Sequence, residues 1–326
     1  LFDDRFIRSR FAMSWAIAGL WLGILCAALG GDLFVRSVVL IATWLRVPSA
    51  LAAATLAAFA TSSPEISVSI NAGLQGTPQI ALGDALGSNI VNVCLILGLL
   101  LCIAPVPVEW SRIRREFLWA MLVPVWIGIL LVDGNFSRLD GLLSIGLFAF
   151  WVGSVVIAAL RYRDPDMQSM TDWRLGIRGL VLAAVGLALL IAAGRLIVWG
   201  ASEIGRALGM TEFLIGATIV AIGTSAPELA TAVLAKLRGH DEIGVGTLLG
   251  SNIFNCLLVA SLAGVITPFA ESLRAVLPSL IFGIVGVALL WPGRSTHLNR
   301  YRGIGLLGVY VLSVLIVWRL QTGPGH

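Results

Sequence analysis

Long stretches of the chain carry no charged side chain: 11–31, 66–83, 85–108, 141–160, 243–270 and 275–293. An α-helix needs roughly 17–25 apolar residues to cross the hydrocarbon core of a bilayer, because each residue rises only about 1.5 Å. The pattern predicts an all-α polytopic membrane protein. Its ten spanning segments fall at about 12–42, 48–75, 78–103, 117–133, 139–160, 175–206, 211–237, 241–267, 274–292 and 302–320. The second and seventh are interrupted by polar, proline-containing stretches, ATSSPEISVS at 60–69 and GTSAPELATA at 223–232. The most charged connection, RYRDPDMQSMTDWR at 161–174, separates a five-segment half, 1–160, from a second, 175–326.

Composition agrees with this reading: 58% of residues are hydrophobic and only 12% charged, against about 25% charged in soluble domains. The net charge of +4 is not a nucleic-acid signal, since the single lysine, Lys236, and the arginines gather at segment ends. Twelve of these charges lie in one set of loops (Arg46; Arg112, Arg114 and Arg115; Arg161, Arg163 and Arg174; Lys236 and Arg238; Arg294, Arg300 and Arg302). The opposite loops hold only Arg138, Arg206 and Arg274. The excess of basic residues on cytoplasmic loops puts the 161–174 linker inside and both termini outside the cell (plasma or inner) membrane. Cys26, Cys94, Cys102 and Cys256 sit in apolar runs without CxxC spacing and read as packed thiols. His240, His297 and His326 fall in loops or the tail.

The two interruptions belong to an internal repeat. Glu65 and Glu228 are 163 residues apart, and the same offset lays GDALGSNIVNVCLILG (83–98) over GTLLGSNIFNCLLVAS (246–261), with eight of sixteen positions identical. Apolar helices share Leu and Val by chance, but not GSNIxN. Five segments is an odd number, so the second half enters the membrane from the opposite side. The expectation is an inverted-topology repeat with a site near the midplane, where 47–103 meets 210–266.

The motifs suit hard-cation chemistry. Pro64 and Pro227 each remove a backbone donor and clash with the carbonyl four residues earlier, on Ala60 and Gly223. Irregular backbone at membrane depth is tolerated only inside protein or along a wet cavity. Thr61 shares a helical face with Glu65, and Thr224 with Glu228. On the following helix Asp84, Ser88 and Asn92 recur at i, i+4, i+8, as do Thr247, Ser251 and Asn255. Gly83, Gly87, Gly246 and Gly250 thin these helices so that backbones can approach. The donors are carboxylates, hydroxyls, amides and carbonyls, with no imidazole. Such a set fits Ca²⁺, which takes roughly 6–8 oxygens. Taken singly, a proline is a kink and a hydroxyl bonds back to its own helix; the duplicated whole argues for function. Asp32 with Arg36, and Glu203 with Arg206, read as local ion pairs. Asp84 is either a third carboxylate at the cavity mouth or a helix-start residue beside GTPQ.

TSSPE and GSNIVN in the first half, with GTSAPE and GSNIFN in the second, resemble the α-repeats of the cation/Ca²⁺ exchanger superfamily, in particular its sodium/calcium exchanger branch. The resemblance extends over essentially the whole chain. It implies a compact prokaryotic antiporter without the regulatory insert of animal exchangers, working as a monomer in the lipid bilayer. Its ligands would be inorganic cations, with no cofactor and no enzymatic activity. Glu65 and Glu228 match the central carboxylates that hold Ca²⁺ and Na⁺ in turn. Thr61, Ser62, Thr224 and Ser225 match suppliers of oxygens to flanking Na⁺ sites, and Ala58 and Ala221 match carbonyl donors one turn earlier. Ser88 and Ser251 match hydroxyl ligands, and Asn92 the middle-site asparagine. Asn255 stands where such exchangers commonly carry Asp, and Ala60 where the first motif usually has Gly.

Proton-coupled Ca²⁺ exchange is the nearest alternative, although that branch usually shows a GNAxE-type motif. An intramembrane hydrolase would need a base beside Ser62 or Ser225, and no histidine lies in those segments. A passive channel would not need two inverted gates around one central site.

Overall fold

The computed structural model describes residues 4–44, 62–108, 110–161, 173–237, 241–292 and 297–322. Among them the chain is overwhelmingly helical. Helix α1 is Asp4–Trp44 and α2 is Ser63–Leu74; α3 runs over Pro78–Ile103, α4 over Trp110–Leu130 and α5 over Arg138–Arg161. In the second half α6 is Trp173–Ala207, and α7 comes in two pieces, Glu212–Thr224 and Ala226–Leu237. Then come α8 at 241–266, α9 at Leu273–Leu289 and α10 at Arg300–Thr322. Six of these helices are long and apolar enough to cross a membrane by length and composition. Their exposed faces carry large apolar side chains, for example Trp21, Leu122, Phe150 and Leu315, as expected where the solvent is hydrocarbon rather than water.

The all-α expectation needs one small amendment. Four two-residue strands pair antiparallel at helix ends: Val106–Pro107 (β1) with His297–Leu298 (β4), and Asn135–Phe136 (β2) with Phe269–Ala270 (β3). Each joins a loop of one half to a loop of the other and pairs backbone groups that no helix satisfies there. Within one residue, the repeat offset carries the first pairing onto the second.

Helices α2, α3, α7 and α8 form the centre. Helix α3 packs on the first piece of α7, and α2 lies between α6 and the end of α8. Helices α1 and α6 pack against each other more extensively than any other pair among the described residues. Small residues permit that approach: a Cβ on Gly30 would stand 3.0 Å from the Gly186 carbonyl, and one on Gly186 would stand 3.0 Å from that of Gly30.

The crossing of α3 and α7 is tighter still. A Cβ on Gly83 would fall 2.2 Å from the Phe213 carbonyl oxygen, one on Gly216 would fall 2.1 Å from that of Ile80, and one on Gly87 would fall 2.5 Å from that of Ala217. Backbone touches backbone, as expected of Gly83 and Gly87. The region that would answer to this partner in the first half, around 48–61, lies outside the described residues.

Candidate cation site

At the break in α7, Ser225 leaves helical geometry at φ −78°, ψ 5°, and the chain resumes as helix from Ala226. Ser62, ahead of Ser63 and Pro64, has nearly the same conformation, φ −87°, ψ 7°. This bridge-region conformation is shared by the two serines, and in α7 it is confined to that one residue. It sets a serine at the start of a helix with the glutamate three residues on, in its first turn: Glu65 after Ser62 and Glu228 after Ser225. The preceding carbonyls are not all released. The Ala221 carbonyl accepts the Ser225 amide at 3.1 Å, and the Thr224 hydroxyl oxygen lies 3.4 Å from it.

Ser62, Glu65, Asp84, Ser88, Asn92, Ala221, Thr224, Ser225, Glu228, Ser251 and Asn255 are all buried, none more than 2% exposed. Ala58 and Thr61 lie outside the described residues. Asp84, Ser88 and Thr224 form one group across the two halves. Thr224 donates to Asp84 Oδ1 at 2.9 Å, Ser88 donates to the same oxygen at 3.2 Å, and the two hydroxyls stand 3.4 Å apart. Glu65 is within Coulombic reach of Glu228 and Asp84. Neither of its carboxylate oxygens accepts a hydrogen bond from a described residue. Thr224 also lies within reach of Glu65, and its shortest hydrogen bond is the one to Asp84. The Ser62 and Ser225 hydroxyls are likewise buried without a partner among the described residues.

Asn92 and Asn255 are held by two asparagines that helical periodicity alone does not single out. Asn92 Nδ2 donates to Asn252 Oδ1 at 3.2 Å, and Asn255 Nδ2 donates to Asn89 Oδ1 at 3.2 Å. Asn89 Nδ2 in turn reaches the Asn252 carbonyl, and Asn252 Nδ2 the Asn89 carbonyl, each at 3.2 Å. The bonds exchange under the repeat offset, so the four asparagines form a reciprocal clasp between α3 and α8. It occupies the amide nitrogens of Asn92 and Asn255 and leaves their Oδ1 atoms buried without a partner among the described residues. The available signal was the first Asn of each GSNIxN, conspicuous in an apolar helix but off the polar face of Asp84, Ser88 and Asn92. Asn89 also donates to Cys256 Sγ at 3.0 Å.

The predicted i, i+4, i+8 face holds for Asp84 and Ser88 and then bends. Helix α3 is regular to Ile90 and widens to i→i+5 bonding over Val91–Leu97, and α8 does the same over Asn255–Val259. The extra residue per turn rotates the side chains beyond it about the helix axis. Such π-turns frequently mark functional sites. The local ion pairs are as expected: Arg36–Asp32 at 2.9 Å and Arg206–Glu203 at 3.8 Å, the latter cation shared with Glu212 at 3.8 Å. Asp84 is not a solvated helix-start residue, since it is fully buried.

Chemically, the site offers carboxylate, hydroxyl, amide and carbonyl oxygens. Among the described residues no three Asp, Glu, His or Cys side chains crowd closely enough to hold a metal ion alone. Any coordination shell built on these carboxylates would need neutral oxygens to complete it, and the combined set is the donor set of a hard cation.

The chain matches the model of the sodium/calcium exchanger protein family twice, over residues 15–157 and 178–319. It is 34% identical to inner membrane protein YrbG of Escherichia coli, over 95% of this chain and 98% of that one. It is 26% identical to sodium/calcium exchanger MaX1 of Methanosarcina acetivorans, over 92% of this chain and 97% of that one. The fold superposes on the sodium-calcium exchanger NCX_Mj, in a structure soaked with Na⁺ and Sr²⁺, with a TM-score of 0.65 and 26% identity, covering 93% of this chain and 98% of the other. Matched in both halves and along nearly its whole length, the chain belongs to the sodium/calcium exchanger family of multi-pass membrane cation antiporters.

Proposed function

We propose that the protein exchanges Ca²⁺ for Na⁺ across the cell membrane by alternating access to one oxygen-lined site near the bilayer midplane. The site is shared by two inverted five-helix repeats, 1–160 and 175–326, joined by a cytoplasmic linker. Glu65 and Glu228 hold the dication. Thr61, Ser62, Thr224, Ser225, Ser88, Ser251, Asn92, Asn255 and the carbonyls of Ala58 and Ala221 complete its shell and the flanking Na⁺ positions. The observation that carries this reading is Glu65, a fully buried carboxylate with no side-chain cation beside it among the described residues and within electrostatic reach of its repeat-mate Glu228. A carboxylate in that state calls for a cation. The reciprocal asparagine clasp and the exchanging strand pairs support the two-fold relation of the halves.

Coupling follows from electrostatics. An uncompensated charge at the centre of a bilayer costs roughly 2.5–3.5 kcal/mol or more. With two carboxylates the empty site is penalised twice, so passage between inward- and outward-open forms is slow unless Ca²⁺ or Na⁺ is bound. One ion must replace another, which is exchange rather than leak.

The test is Ca²⁺ uptake by vesicles containing the purified protein. An outward Na⁺ gradient should drive uptake, and an outward H⁺ gradient without Na⁺ should not. Uptake driven by H⁺ alone would replace Na⁺ by protons as the coupling ion, and uptake driven by neither would end the exchanger reading.

A further inference from the structure

Asp84 breaks the symmetry of the site. The repeat offset places it over Thr247, so the first half carries a carboxylate where the second carries a hydroxyl. Its position is unusual for a charge. Asp84 is fully buried, follows the glycine at which α3 touches α7, and contacts two hydroxyls on one edge only. Thr224 and Ser88 both donate to Oδ1, while Oδ2 is buried without a partner among the described residues. A helix cap would use its free oxygen on backbone amides, and a structural ion pair would bring a cationic side chain. Among the described residues neither is seen at Asp84. The carboxylate is fixed by neutral donors so that one oxygen is left over, within Coulombic reach of Glu65. Two buried acids within electrostatic reach of each other, with no protein cation among the described residues, are relieved either by a cation between or beside them or by protonation of one of them.

We propose that Asp84 Oδ2 joins the flanking Na⁺ position to which Ser88 and Thr224 are assigned above and adds a carboxylate to it. Asp84 then acts as a third formal charge of the transport site and as a determinant of its Na⁺ dependence. This rests on the exchanger reading given above and deepens it. Two glutamates balance one Ca²⁺ or two monovalent ions; with Asp84 the site balances three monovalent ions, or Ca²⁺ with one. The absence of a tight three-acid cluster among the described residues fits a separate flanking position rather than a third ligand on the dication. The position spans both halves, since Asp84 and Ser88 come from α3 and Thr224 from α7. An ion there ties the two repeats together.

The experiment measures Na⁺ activation of Ca²⁺ efflux from vesicles containing wild type or Asp84→Asn, alongside Ca²⁺ activation of Ca²⁺–Ca²⁺ exchange. Asn keeps the shape and an acceptor oxygen and drops the charge. The expected result is a rise in half-saturating Na⁺ of at least about ten-fold, from loss of a unit charge a few ångströms from the ion. The Na⁺ curve should also become less cooperative, with a much smaller change in half-saturating Ca²⁺. Superimposable Na⁺ curves overturn the proposal. So do equal shifts for Na⁺ and Ca²⁺, which would make Asp84 a general contributor to the field. If Asp84→Asn does not run as a single species on size exclusion, Asp84→Thr, the residue that the second repeat carries, is measured against the same criteria. Wild type that fails to exchange Ca²⁺ under any gradient refutes the exchanger reading itself; normal wild type with an unaltered variant refutes only the role of Asp84.

Discussion

The tight crossing of α3 and α7 beside the site is also its most sensitive point. In Gly83→Ala the new methyl would begin 2.2 Å from the Phe213 carbonyl oxygen and 2.8 Å from the Ala217 amide nitrogen. Both obstacles are main chain and cannot rotate away. An ordinary carbon–oxygen contact requires α3 and α7 to part by on the order of 1 Å. Overpacking of this kind costs about 1–3 kcal/mol. The functional cost should exceed the structural one. Asp84 is the next residue, and its bond from Thr224 is 2.9 Å long. Parting the helices by about 1 Å takes that bond out of hydrogen-bonding range and moves the α3 and α7 ligands apart. Misplacement of this size can reduce a rate by about 100-fold. The assay is Na⁺-driven Ca²⁺ flux per correctly folded molecule, with denaturant stability of the purified protein measured in parallel. Gly146→Ala is the control, since a Cβ there meets nothing within 4 Å among the described residues. Flux and stability of Gly83→Ala indistinguishable from those of Gly146→Ala would refute the claim that this contact sets the site geometry.

Glu65→Gln and Glu228→Gln should each abolish Ca²⁺ exchange while the protein still elutes as one folded species, because either removes a formal charge from the site proposed to hold the dication; normal transport in both would sink the assignment. Asn89→Ala removes two side-chain hydrogen bonds of the clasp and the one to Cys256 and strands buried groups at about 1–3 kcal/mol each. A cycle with Asn252→Ala should be strongly non-additive, coupling by about 0.5–3 kcal/mol in denaturant unfolding. Additive losses would mean that the two asparagines act independently. Asn255→Asp adds a charge beside Glu65 and Glu228, where unit charges about 4 Å apart interact by about 4 kcal/mol at an effective dielectric near 20. Ca²⁺ flux should therefore gain a pH dependence or an altered Na⁺ dependence, and flux curves identical to wild type would place Asn255 away from the ions.

Much of this protein was legible in one dimension because the bilayer leaves a chain few choices. A span must be helical and apolar, so uncharged runs mark helix ranges close to those observed at 78–103 and 139–160, while α1 and α4 extend eight and seven residues further toward the N-terminus than the predicted 12–42 and 117–133. A charge or a helix break inside a span is costly, so Glu65, Glu228 and the two proline motifs stood out. Duplication then separated them from accident. What the sequence could not convey was contact between residues far apart along it. Asp84 looked equally suited to solvent and to the interior until α3 met α7. Thr224 was assigned a face with Glu228, yet its shortest hydrogen bond is to Asp84, 140 residues away. Asn89 and Asn252 lie off the face that a regular period defines, and α3 and α8 depart from that period where they widen into π-turns at Val91 and Asn255. Periodicity reports which side of one helix is polar. Where each polar group finds its partner depends on how closely two backbones approach, which is decided by packing at Gly83, Gly87 and Gly216.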